Sequence, residues 1–132
     1  MGKLTFFFDC QIGRRLPEVL ARMKPPVNIR WHHAENFKSD DEDDYWLSEI
    51  GKRNWVVIGQ DRKWHSIEVE AAAVKQHNIR CFYLPCADQT RWVTLCHFIR
   101  RHAKMMELAE TVPGPFIYRL AKNGQFYEVP IP

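Results

Sequence analysis

Five consecutive acids, Asp40 to Asp44, lie between two very apolar runs that each lead to an aspartate. The first run is Phe6-Phe7-Phe8, closed by Asp9; the second is Trp55 to Ile58, with Asp61 three residues beyond it. Carboxylates gathered in one place repel one another. Two unit charges about 4 Å apart cost on the order of 4 kcal/mol at an effective dielectric near 20. A fold tolerates this when a cation relieves it or a proton is shared. All-oxygen ligands favour a hard cation, Mg²⁺ or Mn²⁺. Such an ion neutralises charge on a phosphodiester and lowers the pKa of a bound water, which is the chemistry of hydrolysis at phosphorus. The same residues also have plainer uses. An Asp after a strand is ordinary turn chemistry, and Asp43 and Asp44 suit a helix start. On residue types alone, both readings stand.

A net charge of +3 conceals a segregation. Residues 35–49 are strongly acidic, whereas Arg91 to Lys104 carries Arg91, Arg100, Arg101 and Lys104 without an acid. A focused acidic spot beside basic surface suits a metal enzyme acting on a polyanion, although a basic run by itself is more often a solvated helix face. Arg14 and Arg15 after the first acid, and Arg62 and Lys63 after Asp61, could meet a phosphate or stay solvated. Trp64 and Trp92 could stack on bases, but buried packing is the expected role for both. The four cysteines, Cys10, Cys81, Cys86 and Cys96, form no close pair. With His97 they match no standard zinc spacing, so they are expected reduced and mostly buried.

Positioning such acids requires a rigid frame. Leu4 to Phe8, Val27 to His32, Trp55 to Ile58 and Arg80 to Leu84 read as strands. Arg14 to Met23, Asp43 to Lys52 and Ile67 to His77 read as the helices between them, with Pro25-Pro26 ending the first and Ser66 capping the third. This alternation predicts an α/β fold with a central parallel sheet and helices on both faces. In a parallel sheet, residues just past the strand ends share one edge, where ligands bind at the point of reversed strand order. Asp9, Asp61 and the start of the Asp43 helix are expected at that edge. Thr90 to Leu108 reads as a longer helix with Val93, Leu95, Cys96, Ile99, Ala103 and Met106 as its apolar positions. A C-terminal β-hairpin over about 116–129 turns at Asn123-Gly124.

The chain of 132 residues is expected to be one domain, with enough apolar residue to bury a core. No apolar run approaches the roughly 20 residues that cross a bilayer, and the N-terminus is too short in apolar residues for a secretory leader. The expected compartment is the cytoplasm.

"FFFD", the acid-rich "DDYW", "IGKRNWVVIGQD" and the final "GPFIYRLAKNGQFYEV" together resemble the PIN-like domains of the VapC toxin type. The resemblance implies a three-layer PIN-like fold over almost the whole chain. It also implies a Mg²⁺- or Mn²⁺-dependent endoribonuclease, the toxin half of a bacterial toxin–antitoxin pair. RNA would be the substrate, an antitoxin protein the partner, and a homodimer an available assembly. Carried over by position, Asp9 and Asp61 would be direct metal ligands, and Asp43 or Asp44 would supply a third carboxylate. Glu70, nine residues after Asp61, would be a peripheral acid. Two positions depart from the pattern: Tyr45 stands where an acid is usual, and Gly59 stands in place of Thr or Ser. These departures support an alternative, a catalytically silent PIN-like domain that binds RNA or a protein.

Overall fold

Three phenylalanines in succession can all be buried only in a strand covered on both faces, and β1 (Thr5–Phe8) is such a strand. Phe6, Phe7 and Phe8 are each fully buried. The computed structural model describes residues 4–9, 12, 14–31, 43–60, 68–85 and 89–131, with the backbone alone at 43–45 and 68–71. Strand β2 (Asn28–Trp31) flanks β1 on one side and β3 (Val56–Gln60) on the other, both parallel to it. Beyond β3 come β4 (Arg80–Leu84), β5 (Phe116–Leu120) and β6 (Phe126–Glu128), giving the order β2-β1-β3-β4-β5-β6.

The C-terminal hairpin is therefore not an appendage. Its first strand joins the sheet as a fifth parallel member, with Arg80 opposite Phe116 and Tyr83 opposite Arg119, and only β6 runs antiparallel. The turn also differs from a two-residue Asn-Gly loop. Ala121 and Gln125 close it, Gly124 N donates to Ala121 O at 2.9 Å, and Gly124 alone takes positive φ, at +89°. Lys122, Asn123 and Gly124 thus form a three-residue loop ending on a left-handed glycine, a standard alternative in hairpins.

Period two along the strands divides the core into two layers. Phe6, Phe8, Val56, Ile58, Phe82 and Leu84 pack on one face with Leu16 and Leu20 of α1 (Arg15–Arg22) and with α4 (Arg91–Thr111). Phe7, Val57, Cys81 and Tyr83 pack on the other with Trp46, Leu47 and Ile50 of α2 (Asp43–Arg53) and Ala73 and Val74 of α3 (Glu68–Gln76). The helices α1, α2 and α3 are each followed by a residue with positive φ, Lys24, Asn54 and Asn78, the left-handed exit common at helix ends.

Helix α4 corrects the expected apolar face. Thr94, His97, Phe98, Met105 and Ala109 are its buried residues, while Ile99 and Ala103 are exposed and Cys96 is half-buried. The reason is tertiary. Phe98 lies edge-on to Phe6 at 5.9 Å between centroids and 5.4 Å from Phe8, so the helix turns its aromatic side to β1. The β3-to-β4 and β4-to-β5 crossovers run the same way across the sheet, yet α3 covers one face and α4 the other. These two connections therefore have opposite hands, against a strong general preference for one hand.

Candidate site at the carboxyl edge of the sheet

The chain passes from β1 outward to β2 and then back across to β3, so the strand order reverses between β1 and β3. In open α/β sheets this is where a crevice forms at the carboxyl ends of the strands. Asp9 immediately follows β1 at that point. Its N–H donates to Ile58 O at 2.9 Å, and its own carbonyl accepts from Ile12 N–H at 3.1 Å. The residue is only 2% exposed. A carboxylate removed from water to that degree costs several kcal/mol unless charges or hydrogen-bond donors compensate it.

Alternation along β1 puts Asp9 on the side of Phe7, facing the α2/α3 layer. Gly59 and Tyr83 stand on the same side, paired across β3 and β4. A Cβ on Gly59 would lie 3.8 Å from Asp9 Oδ2 and 3.3 Å from Cδ1 and Cε1 of the Tyr83 ring. The missing side chain at 59 is thus what allows the phenol ring and the carboxylate to approach the same point. Sequence reasoning marked Gly59 only as a departure and did not find Tyr83. The signal available was the alternation itself, which places Tyr83 two residues from Cys81 on one face.

The other expected acids are placed less fully. Asp43 and Asp44 open α2, and Trp46, two residues after Asp44, packs against Phe7 with centroids 5.7 Å apart. Helix α2 returns the chain from the carboxyl end of β2 to the start of β3, so its first turn stands at the carboxyl edge. Glu70 is in the first turn of α3, which leaves the same edge. Gly59 and Gln60 extend β3, so Asp61 follows the strand directly rather than after three residues. The side chains of Asp43, Asp44, Tyr45 and Glu70, and all of Asp61, lie outside the described residues. Among the described residues, no group of three or more His, Cys, Asp or Glu could hold a metal ion.

A hard cation needs several oxygens on a rigid frame. Asp9 meets the frame condition: it is buried, backbone-anchored on two strands, and borders the side-chain-free position at Gly59. On its own it would supply one ligand residue. The donor chemistry fits Mg²⁺ or Mn²⁺ if Asp61, Asp43 or Asp44, and Glu70 add the remaining oxygens.

Trp92 is 71% exposed, contrary to the expected buried packing. The turn of α4 that buries Thr94 and Phe98 points Trp92 outward; Trp64 lies outside the described residues. Arg14 and Arg15 are exposed at the start of α1, and Arg14 Nε is 3.8 Å from Glu18 Oε1, a surface pair of little energetic weight. Arg62, Lys63, Cys10 and Cys86 lie outside the described residues. Cys81 is buried on the α2/α3 side, whereas Cys96 and His97 belong to α4 across the sheet, so these three do not meet. His97 is buried, and its pKa is held below the ordinary histidine value by that burial and then by Arg100 and Lys122. Among the described residues, no helix is long and apolar enough to cross a membrane.

Residues 4–86, well over half of the chain, match the family model described as a PIN like domain. No curated protein and no solved structure matches the chain.

Proposed function

Because the chain belongs to the PIN-like domain family, we propose that it engages RNA at the carboxyl edge of its sheet, around the crevice between β1 and β3. The observation that carries this reading is Asp9, a buried carboxylate anchored where the strand order reverses. Two uses of that carboxylate follow, and they divide the enzyme from the binding module.

In the enzymatic use the protein is an endoribonuclease. Asp9 and Asp61, with Asp43 or Asp44, would hold Mg²⁺ or Mn²⁺, and Glu70 would steady the set from the first turn of α3. The bound ion would supply charge neutralisation at phosphorus and a more acidic water. Rigid strands would hold the carboxylates together against their mutual repulsion, and the α2/α3 layer would exclude bulk water on one side. The biological setting is then a single-domain cytoplasmic toxin held by an antitoxin protein, with a homodimer as the assembly.

A specific observation favours the second use, a silent PIN-like module that binds RNA or a protein. Beside Asp9, a Cβ on residue 59 would already stand 3.3 Å from the fully buried ring of Tyr83, so a hydroxyl-bearing side chain there would crowd the ring. Asp9 would then act as a structural acid.

One experiment separates the two. Single-stranded RNA is incubated with the protein in Mn²⁺ or in EDTA, and both retention and cleavage are measured beside Asp61→Asn. Cleavage that needs metal and falls by orders of magnitude in the variant establishes the nuclease. Retention without cleavage, equal in both proteins, establishes the module. No retention and no cleavage under either condition overturns RNA as the partner.

A further inference from the structure

Resting on RNA as the partner, we propose that a second surface, running from Trp92 across Arg100 to Lys122 in the β5–β6 turn, docks the backbone of single-stranded RNA. It lies on the α1/α4 face, across the sheet from the side chain of Asp9.

Trp92 offers a nearly free indole face at 71% exposure. Arg100 is eight residues on, which places it about 80° around the helix and about 12 Å further along it. It is exposed, and among the described residues it has no acidic partner. Lys122 is exposed in the turn that follows β5, and that turn lies against α4 beside Arg101. The turn is held there by Arg101. Its guanidinium carbon stands 5.3 Å from the Phe126 ring centroid, and its Cδ is 4.0 Å from the point a Cβ on Gly124 would occupy. Helix and turn therefore present one basic surface rather than two separate ones.

The limits of the strip are also in the sequence. No acid occurs from Arg91 to Lys104, and the first to appear, Glu107, pairs with Lys104 at 3.4 Å. A protein interface is depleted of charge at its centre. Here the exposed apolar residues Trp92 and Ile99 alternate with Arg91 and Arg100. An exposed aromatic face next to exposed cations is the chemistry of a single strand, whose bases stack and whose phosphates pair. Along the carboxyl edge, β1 and β5 are three strand spacings apart, about 14 Å. A strand seated on the turn could thus extend to the crevice at Asp9.

The test uses the full chain and a labelled twelve-residue oligouridylate in EDTA, so that no cleavage intervenes. Binding is read by fluorescence anisotropy over a salt series. Each phosphate contact contributes about 0.7 to the slope of log affinity against log salt for a single strand. The double variant Arg100→Gln/Lys122→Gln is expected to lower that slope by about 1.4. Trp92→Ala, with Trp92→Gln as a second variant, is expected to weaken binding roughly ten-fold or more while leaving the slope unchanged. Thermal unfolding confirms that these exposed substitutions keep the fold. If the unsubstituted protein binds and all variants match it in affinity and slope, the strip is refuted and RNA remains the partner. If the unsubstituted protein fails to bind, both readings fall together. If an oligoglutamate peptide binds with the same dependence on Trp92 and on the cations, the surface is a protein-docking site and the inference is overturned.

Discussion

Gly59 and Tyr83 face each other across β3 and β4, and a Cβ at 59 would come within 3.3 Å of the tyrosine ring. The ring is fully buried and so cannot swing into solvent. Gly59→Thr is expected to destabilise by about 1–3 kcal/mol through overpacking. Combining it with Tyr83→Leu should recover at least about 1 kcal/mol relative to the sum of the single effects. Urea unfolding of the four proteins measures this. Strict additivity would show that the two residues do not compete for that space.

Metal binding can be tested without a substrate. If Asp9 is a ligand, Mn²⁺ at a hundred times its dissociation constant should stabilise the protein by about 2.7 kcal/mol, several degrees in melting temperature. Asp9→Asn should lose most of that increase, and without metal it should be at least as stable as the parent if repulsion among the acids dominates. Calorimetry decides between the two roles. A variant that melts early and still responds fully to Mn²⁺ would assign Asp9 a structural role.

His97 should make stability depend on pH in one direction. Burial, then Arg100 and Lys122, lower its pKa in the folded protein. Above the unfolded value of about 6.5 the ring is neutral in both states and its contribution is intact. As pH falls below that value, the unfolded chain takes up the proton first, so stability declines until the lowered folded pKa is passed. Unfolding midpoints between pH 8 and pH 5 should fall less steeply in His97→Gln. Parallel curves would remove His97 as the cause.

Arg80 ties three segments at the amino edge of the sheet. Nη1 donates to Ala109 O at 2.7 Å and Nη2 to Asn54 O at 2.8 Å, joining β4 to the end of α4 and to the turn before β3. Arg80→Ala is expected to cost about 2 kcal/mol, from charge-assisted bonds and from carbonyls left without a donor. Arg80→Lys should restore only part of this, because one ammonium cannot reproduce the fork. Equal stability of Arg80→Ala and the parent in urea would contradict the tie.

The strands were legible because their residues leave little choice: Phe6-Phe7-Phe8 and Val56-Val57-Ile58 suit nothing but doubly covered strands. Asp9 was legible for the same reason, since it ends such a strand. The inward face of α4 was not. Its sequence supports one stripe through Val93, Cys96, Ile99, Ala103 and Met106 and another through Thr94, Phe98, Met105 and Ala109. Only the distant rings of Phe6 and Phe8 decide between them. The Asn123-Gly124 signal correctly located the hairpin, but Lys122 lengthened its loop. That β5 would join the sheet beside β4 depends on pairing across more than thirty residues, which no local pattern carries. The partnership of Gly59 with Tyr83 was hidden likewise, as it needs the register between strands.

The position of α4 over β1 bears on the order in which the protein can mature during synthesis. The ring that α4 lays over Phe6 and Phe8 is Phe98, and that residue is made some ninety positions later. At ribosomal rates this interval is on the order of ten seconds. Until it ends, the aromatic face of the strand that carries Asp9 has α1 but lacks α4 as cover. A nascent chain ending at residue 86 would contain the whole family-matched stretch and still lack that cover. Full burial of the strand that carries Asp9 is thus coupled to emergence of α4, which lies beyond the family-matched stretch.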